Sequence, residues 1–292
     1  MKSFANKPEG NQLLCKKYSL KEEIANSITH GIGVLFSIVT LTILLVFAIW
    51  KKSPISIISF SIYGFCSICL YLASTLYHSF QREKLKKILR IFDHSSIYLF
   101  IAGTYTPVAL LCLKGYWRVG MLTAVWLIAI LGITFKIVTY KKFDNYKAFS
   151  LILYVFMGWL VVIAIRPMLE MIPVGFLMWL LAGGLFYTVG IIFYVIKKIP
   201  FNHAIWHLFV LGGSVMHFLG IFIYLRWYNV KWSATIILWC LTIFKLKLYI
   251  IIFNNLCSLC LIFFSRYSHR FYCVFLSYNS FSLCYFNFSL FK

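Results

Sequence analysis

Long apolar runs alternate along the chain with short polar connections. Each run is about 20 residues long, the length that a helix needs to cross the hydrocarbon core of a bilayer. The runs are continuous and do not alternate residue by residue, so they predict helices and not the strands of a membrane β-barrel. Seven runs are predicted to span the membrane: 28–49, 55–77, 95–113, 119–138, 148–165, 173–196 and 203–225. The expected fold is an all-α membrane protein, a bundle of seven transmembrane helices.

Local signals refine these elements. Ser19 followed by Glu22 fits a capping box, which predicts a short amphipathic helix running into the first span. Pro107 predicts a kink in span three, and Gly183-Gly184 predicts close helix packing at span six. The Lys- and Arg-rich segment 79–92 is predicted to be a polar loop.

Three segments are expected: a cytoplasmic N-terminal segment (1–26), the seven-helix domain (27–226) and an atypical apolar and basic tail (227–292). The polar start of the chain predicts no cleavable signal peptide. Within the tail, 248–264 could form an eighth span. Because the tail lacks helix caps and periodicity, we favour translation out of frame or past a lost stop codon over a selected domain.

Composition and charge support a membrane location. The chain is 62% hydrophobic and 12% charged, whereas soluble domains carry about 25% charged residues. A net charge of +21 would suggest nucleic acid as the partner of a soluble protein. Here the basic residues lie in short connections, which indicates the positive-inside pattern and contact with anionic lipid head groups. We therefore expect membrane lipids as partners and no nucleic acid; no oligomeric state is indicated.

The distribution of Lys and Arg also predicts the orientation. Most of them precede span one or lie in 79–92, 136–147 and 197–198, which all fall on one side of a seven-span protein. The positive-inside rule then places the N-terminus in the cytoplasm. The chain is expected to be a multi-pass protein of the cell (plasma) membrane.

Span seven begins with two histidines, His203 and His207, spaced i and i+4. This spacing places both imidazoles on one face of a helix, where they can reach one metal ion. An ionisable side chain at membrane depth is costly and is by default a functional hypothesis. The alternative is that both rings simply lie at the lipid interface.

Seven spans would bring further polar residues to the same membrane face. His78 ends span two and Asp93 begins span three, beside the start of span seven. Three neutral imidazoles with an open position are typical of catalytic zinc, although ligand type leaves iron, copper and nickel open. Asp93 could bind the metal directly, or it could hold and deprotonate a water on the metal. Ser74 lies one turn before His78 on the same helix face.

Three other histidines are less informative. His30 also lies at the inner face, where an inner-shell role and a packing role both remain open. His94 follows Asp93 but points to another helix face, so we interpret it as interfacial. His217 lies about 15 Å deeper than His207 and is expected to be a buried, hydrogen-bonded polar group.

Four ordered motifs resemble the haemolysin III family. They are Glu22-Glu23-Ile-Ala-Asn26-Ser-Ile-Thr29-His30-Gly31, Ser74-x-x-x-His78, Phe92-Asp93-His94-Ser95 and His203-x-x-x-His207. This family is grouped with the progestin and adiponectin receptors and, more distantly, with alkaline ceramidases. The resemblance covers about residues 18–226.

The resemblance implies seven helices around a zinc ion held by His78, His203 and His207. It also implies that the carboxylate of Asp93 contacts a zinc-bound water, and Ser74 matches the serine of the same motif. Asp93 and Ser74 are therefore the candidate catalytic residues, with zinc as the cofactor.

Three functions follow as hypotheses. Kinship with ceramidases implies zinc-dependent hydrolysis of a lipid amide or ester, with a membrane lipid as the substrate. The family label implies a pore-forming haemolysin, but the charged groups cluster at one face and do not line a path across the bilayer. In the third, the protein senses membrane state and zinc only holds spans two, three and seven together. Fold kinship does not decide among them.

Overall fold

Helices make up the regular structure of the membrane domain. The computed structural model describes residues 18–225 and two strands, 273–277 and 280–284. The chain divides into two units, Met1–Tyr228 and Asn229–Lys292. The candidate eighth span, 248–264, lies outside the described residues.

Eight α-helices follow one another through the described part of the first unit. They are α1 (Leu20–Trp50), α2 (Pro54–Ser79), α3 (Glu83–Leu111), α4 (Gly115–Val138), α5 (Lys147–Gly158), α6 (Ile165–Met171), α7 (Val174–Val195) and α8 (Asn202–Gly220). Turns of 3₁₀ helix lie at Tyr140–Lys142 and Leu160–Ala164, and a π-helical turn, Ile221–Leu225, continues α8.

Six helical segments of the described chain are long and apolar enough to cross a membrane: Leu20–Trp50, Pro54–Ser79, Gly115–Val138, Lys147–Met171, Val174–Val195 and Asn202–Leu225. The third predicted span falls within α3, which is not among these six. The third predicted span contains Ser, Thr, Tyr and Pro among its apolar residues, and this lowers its mean hydropathy. The count of seven spans and the orientation therefore stay predictions.

The start of α1 matches its sequence signal. The Ser19 hydroxyl accepts a hydrogen bond from the Glu22 backbone N–H at 3.3 Å, and the Ser19 N–H donates to the Glu22 carboxylate at 2.9 Å. This reciprocal pair confirms the predicted capping box. The predicted amphipathic helix and span one form a single continuous helix.

The sequence had predicted a polar loop over 79–92, but most of this segment is helical. Helix α3 begins at Glu83, so the connection after α2 is only three residues long. Glu83 pairs with Lys87 at 2.7 Å one turn later, and Glu, Lys, Leu and Arg all favour helix. The charged residues of this segment indicate that it is exposed, and an exposed segment was wrongly interpreted as one that is not helical. Helix α3 then continues through Pro107 to Leu111.

The fifth predicted span was expected to stop before Arg166-Pro167, and this boundary is wrong. Helix α5 ends at Gly158, and the chain continues through a 3₁₀ turn into α6, which contains Pro167. Pro167 is tolerated because it lies in the first turn of α6, where backbone N–H groups have no helical partner. The Tyr105 hydroxyl bridges the break, donating to the Gly158 carbonyl at 2.8 Å and accepting from the Val161 N–H at 2.9 Å.

Helix packing places the site. Helix α1 packs against α2 and α8, α2 packs against α3, and α7 packs against α8. Gly183 allows α7 and α8 to pack closely, because a Cβ at this position would lie 2.1 Å from Cδ2 of His217. Gly184 has only ordinary contacts, with a Cβ at 3.8 Å from Trp159. The C-terminal end of α2 and the N-terminal end of α8 meet beside α1.

The described strands of the second unit form an antiparallel hairpin. Strand β1 (Cys273–Ser277) pairs with β2 (Ser280–Cys284), with Cys273 opposite Cys284. The all-α expectation thus describes residues 18–225, and the sequence had not predicted this hairpin.

Candidate metal centre

The three predicted metal ligands lie together. His78, in the last turn of α2, meets His203 and His207 from the first two turns of α8. One ligand atom from each ring lies within 4.8 Å of the other two, and all three residues are buried. Their ring centroids are 4.5 to 5.3 Å apart. Within the described residues, this is the one group of three or more His, Cys, Asp or Glu with such spacing.

Each imidazole has a buried ring nitrogen without a hydrogen-bond partner among the described residues. These atoms are Nε2 of His78, Nδ1 of His203 and Nε2 of His207. Buried polar atoms are nearly always paired, so three orphans at one point are unusual. A bound cation would satisfy them together. Three converging imidazoles suit zinc best among common metals and leave a position open.

A carboxylate on α1 fixes the ring of His78. Nδ1 of His78 donates to Oε2 of Glu23 at 2.6 Å, and Oε1 of Glu23 accepts from Nζ of Lys86 at 2.6 Å. All three side chains are buried. Because a carboxylate only accepts, the proton lies on Nδ1 and the lone pair on Nε2 is left for a metal.

Helix α1 orients His207 in the same way. Nδ1 of His207 donates toward the Asn26 carbonyl at 3.2 Å and lies 3.1 Å from Oγ1 of Thr29. His30 stacks on the ring of His207, with centroids 3.5 Å apart and planes 19° from parallel. His30 therefore packs against His207 and lies outside the three-histidine group.

Tyr18 lies over His203, the third histidine of the group. Its ring stacks on His203, with centroids 5.2 Å apart. Tyr18 precedes the membrane-spanning part of α1, and burial raises the pKa of its phenol well above the usual value, with smaller contributions from nearby tyrosines and acidic groups. The phenol therefore stays protonated and can act as a hydrogen-bond donor near His203.

Asp93 on α3 lies outside the set of ligand atoms and is held by its neighbour. Nδ1 of His94 lies 3.0 Å from Oδ2 of Asp93 and 3.0 Å from the Arg90 carbonyl, so it donates toward acceptors. Oδ1 of Asp93 makes no hydrogen bond to the described residues. The prediction that His94 points to another helix face than Asp93 is wrong, whereas its interfacial location stays a prediction. Its side chain bends back to Asp93 and packs edge-on against Phe143, with ring centroids 4.8 Å apart.

Ser74 and His217 are the remaining predicted residues. Ser74 is buried one turn before His78, and its hydroxyl has no hydrogen-bond partner among the described residues. No described hydrogen bond joins Ser74 to the three histidines. Nε2 of His217 lies 3.2 Å from the Leu180 carbonyl, which agrees with the predicted hydrogen bond, but the residue is half-buried.

An apolar cavity touches the group at His203. It has a volume of about 410 Å³ and is lined mainly by residues of α3, α5, α7 and α8, with Lys136 of α4 also on its wall. His203 and Asp93 lie on its wall together with apolar side chains such as Ile101, Val155 and Leu181. A long apolar chain could occupy this space with its polar end next to His203 and Asp93.

The sequence did not predict the contact between Lys86 and Glu23. Lys86 lies in the segment interpreted as a loop, so its contact with Glu23 could not be foreseen. Glu23 had been named only as part of the first family motif. The available signal was its place on α1 four residues after Ser19, which puts it at the same end of the bundle as His78.

Several known proteins are similar in sequence to this chain over the membrane domain. Residues 18–218 match the family model described as Haemolysin-III related. The chain is 49% identical over 207 residues to the Hemolysin-3 homolog of Bacillus subtilis (strain 168), which covers 71% of this chain and 96% of that protein. It is 48% identical over 205 residues to Hemolysin-3 of Bacillus cereus, covering 70% and 92%.

A more distant relative matches the same region. The chain is 32% identical over 212 residues to the Monocyte to macrophage differentiation factor of Homo sapiens, covering 70% of this chain and 84% of that protein. These matches confirm the resemblance drawn from the four motifs. The chain belongs to the Haemolysin-III related family of multi-pass integral membrane proteins.

Proposed function

We propose that this protein is a zinc-dependent hydrolase of lipid amides or esters. The observation that carries the proposal is a buried three-histidine group on the wall of an apolar cavity at His203, in which each ring has a nitrogen without a hydrogen-bond partner among the described residues. When bound, zinc would polarise a carbonyl oxygen and lower the pKa of water. His78, His203 and His207 would hold the ion.

Asp93 is the proposed general base. His94 holds one carboxylate oxygen at 3.0 Å, and Asp93 lines the cavity, where its carboxylate can accept a proton from the attacking water. A base held by a neighbour is already oriented when the substrate arrives, which reduces the entropic part of the barrier. Ser74 is proposed to assist as a hydroxyl donor, because its buried oxygen has no partner among the described residues.

The cavity sets the proposed substrate class. Its wall is mostly apolar, and its lining spans several turns of α3 and α7. Burying an acyl chain there would place the adjoining amide or ester near His203 and Asp93. The name haemolysin, carried by the relatives, suggests cytolysis instead. We favour hydrolysis because the buried polar residues at this end converge on one point, whereas a pore requires a polar path through the bilayer.

The test compares Asp93→Asn with wild type in zinc content and in hydrolysis of a ceramide-type amide and an acyl ester. We expect the mutant to keep its zinc, because three imidazoles remain, and to lose about 10²–10⁴-fold in rate. Glu170→Gln, an exposed carboxylate on α6, is the control and should change neither quantity.

Other outcomes of this test point to other roles. Loss of zinc from Asp93→Asn would make Asp93 a ligand. Absence of hydrolysis in wild type, with an effect of the mutation on thermal stability alone, would leave the metal a structural role. Unchanged zinc, rate and stability would exclude every role proposed for Asp93.

A further inference from the structure

A lysine lies buried on the wall of the cavity. Lys136, in the last turns of α4, is 1% exposed, and its Nζ lies 4.1 Å from the centre of the Phe143 ring. Among the described residues, no carboxylate lies within ion-pairing distance of this Nζ and no acceptor takes a hydrogen bond from it. Buried lysines are almost always paired with an anion. The ring of Phe143 offers Lys136 a cation–π contact but no negative charge.

The neighbouring charges do not neutralise Lys136. The guanidinium of Arg90 lies 4.3 Å from the centre of the Phe143 ring and pairs with Asp144. Lys147 pairs with the same carboxylate. Asp144 thus already pairs with two cations, Arg90 and Lys147.

These cations belong to the same cavity as the metal centre. Lys136 and Lys147 line it, and so do Asp93 and His94. His94 connects the two regions, because its Nδ1 lies near Asp93 and its ring packs on Phe143. An anion held by the two lysines would lie in the same cavity as Asp93.

We propose that Lys136 and Lys147 bind the phosphate of a phospholipid whose acyl chain occupies the cavity. Phosphate carries up to two negative charges and several acceptor oxygens, which suits two ammonium groups. The apolar lining favours a lipid over free phosphate, because only a lipid would also remove that surface from water. The assignment rests on the proposed function for the shared cavity, and it adds a phosphate-bearing substrate class.

The test measures binding and not turnover. The ligands are a 1-O-alkylglycerol-3-phosphate and the 1-O-alkylglycerol of the same chain length, which contain no carboxylic ester or amide bond. Binding is measured by native mass spectrometry of the full-length protein in a neutral detergent. Because neither ligand contains the bond that the proposed hydrolase would cleave, the result does not depend on whether the hydrolase proposal is correct.

We expect wild type to bind the phosphate ligand at least about tenfold more tightly than the alcohol, as one or two charge-assisted contacts would provide. Lys136→Met should remove most of this preference and leave the affinity for the alcohol unchanged. Lys84→Met, an exposed lysine on α3, should behave as wild type. If Lys136→Met does not fold, Lys147→Met must reduce the preference severalfold.

Several results would overturn the assignment. Equal affinity of wild type for the two ligands would contradict it, and so would a preference that survives both lysine substitutions. If inorganic phosphate competes as strongly as the alkylglycerol phosphate, the cations form a free-phosphate site and the lipid assignment fails.

Discussion

Oε2 of Glu23 lies 2.6 Å from Nδ1 of His78, at a buried junction of α1 and α2. Oε1 of the same carboxylate holds Lys86 of α3 at 2.6 Å. One side chain therefore joins three helices and also sets which nitrogen of His78 carries the proton. Such outer contacts orient a metal-binding imidazole and raise its basicity.

Glu23→Gln should weaken zinc binding by about 10- to 100-fold, as is typical when the partner of a ligating histidine is lost. The measurement is zinc competition with a chromophoric chelator. The control is Glu83→Gln, since Glu83 is exposed and pairs only with Lys87 on the surface. The prediction fails if the two mutants have the same zinc affinity.

The same substitution leaves Lys86 buried without its carboxylate, so part of any effect could come from lost stability. The double variant Glu23→Gln/Lys86→Met separates the two effects. It should recover thermal stability, because the unpaired charge is gone, but it should not recover zinc affinity. Recovery of both would mean that Glu23 matters only for folding.

The sequence predicted most of this structure where local physics decides. Continuous apolar runs place the helices, and the pair Ser19 and Glu22 marks the start of α1 because a capping box depends only on neighbouring residues. The histidine group was also predicted, since the i and i+4 spacing of His203 and His207 and the ends of the spans are all sequence properties.

Contacts between helices were harder to predict. Rotation of α1 about its axis turns Glu23 toward His78, and no local pattern gives that rotation. The helical start of α3 was missed because charged residues occur both in loops and on exposed helix faces. The contact between His94 and Asp93 depends on side-chain rotamers, which helix periodicity does not specify.

Gly183→Ala should destabilise the protein by about 1–3 kcal/mol, the usual range for overpacking a tight contact. A Cβ at this position would lie 2.1 Å from His217 and 3.0 Å from the Gly213 carbonyl. Gly184→Ala is a matched control one residue away, where the nearest atom is at 3.8 Å. Thermal unfolding in detergent should show a lower midpoint for the first mutant only. Equal midpoints would contradict the close packing of α7 on α8.

Asp144 predicts a pH dependence of stability. Burial raises the pKa of this carboxyl, but hydrogen bonds from Arg90 and Lys147 outweigh that effect and hold the pKa below its usual 3.8. A lowered folded pKa gives stability that is present above pH 3.8 and is lost as pH falls through the folded pKa.

Wild type should therefore be more stable than Asp144→Asn at pH 7, and the difference should shrink as the pH falls below 4. Because the Asp144 side chain is 43% exposed, solvent screening limits the difference to about 1 kcal/mol. Unfolding midpoints of both proteins between pH 7 and pH 3 test this. A constant difference across the range would show that ionisation of Asp144 is not its source.

The most direct test of the metal centre is the zinc content of purified protein. We expect about one zinc per chain in wild type, and loss of most of it from His203→Ala, His207→Ala and the double mutant, because a three-ligand site does not tolerate a missing ligand. His217→Ala is the matched control, since His217 lies on the same helix but outside the group, and it should keep its zinc. Full zinc occupancy in the His203→Ala/His207→Ala double mutant would contradict the account.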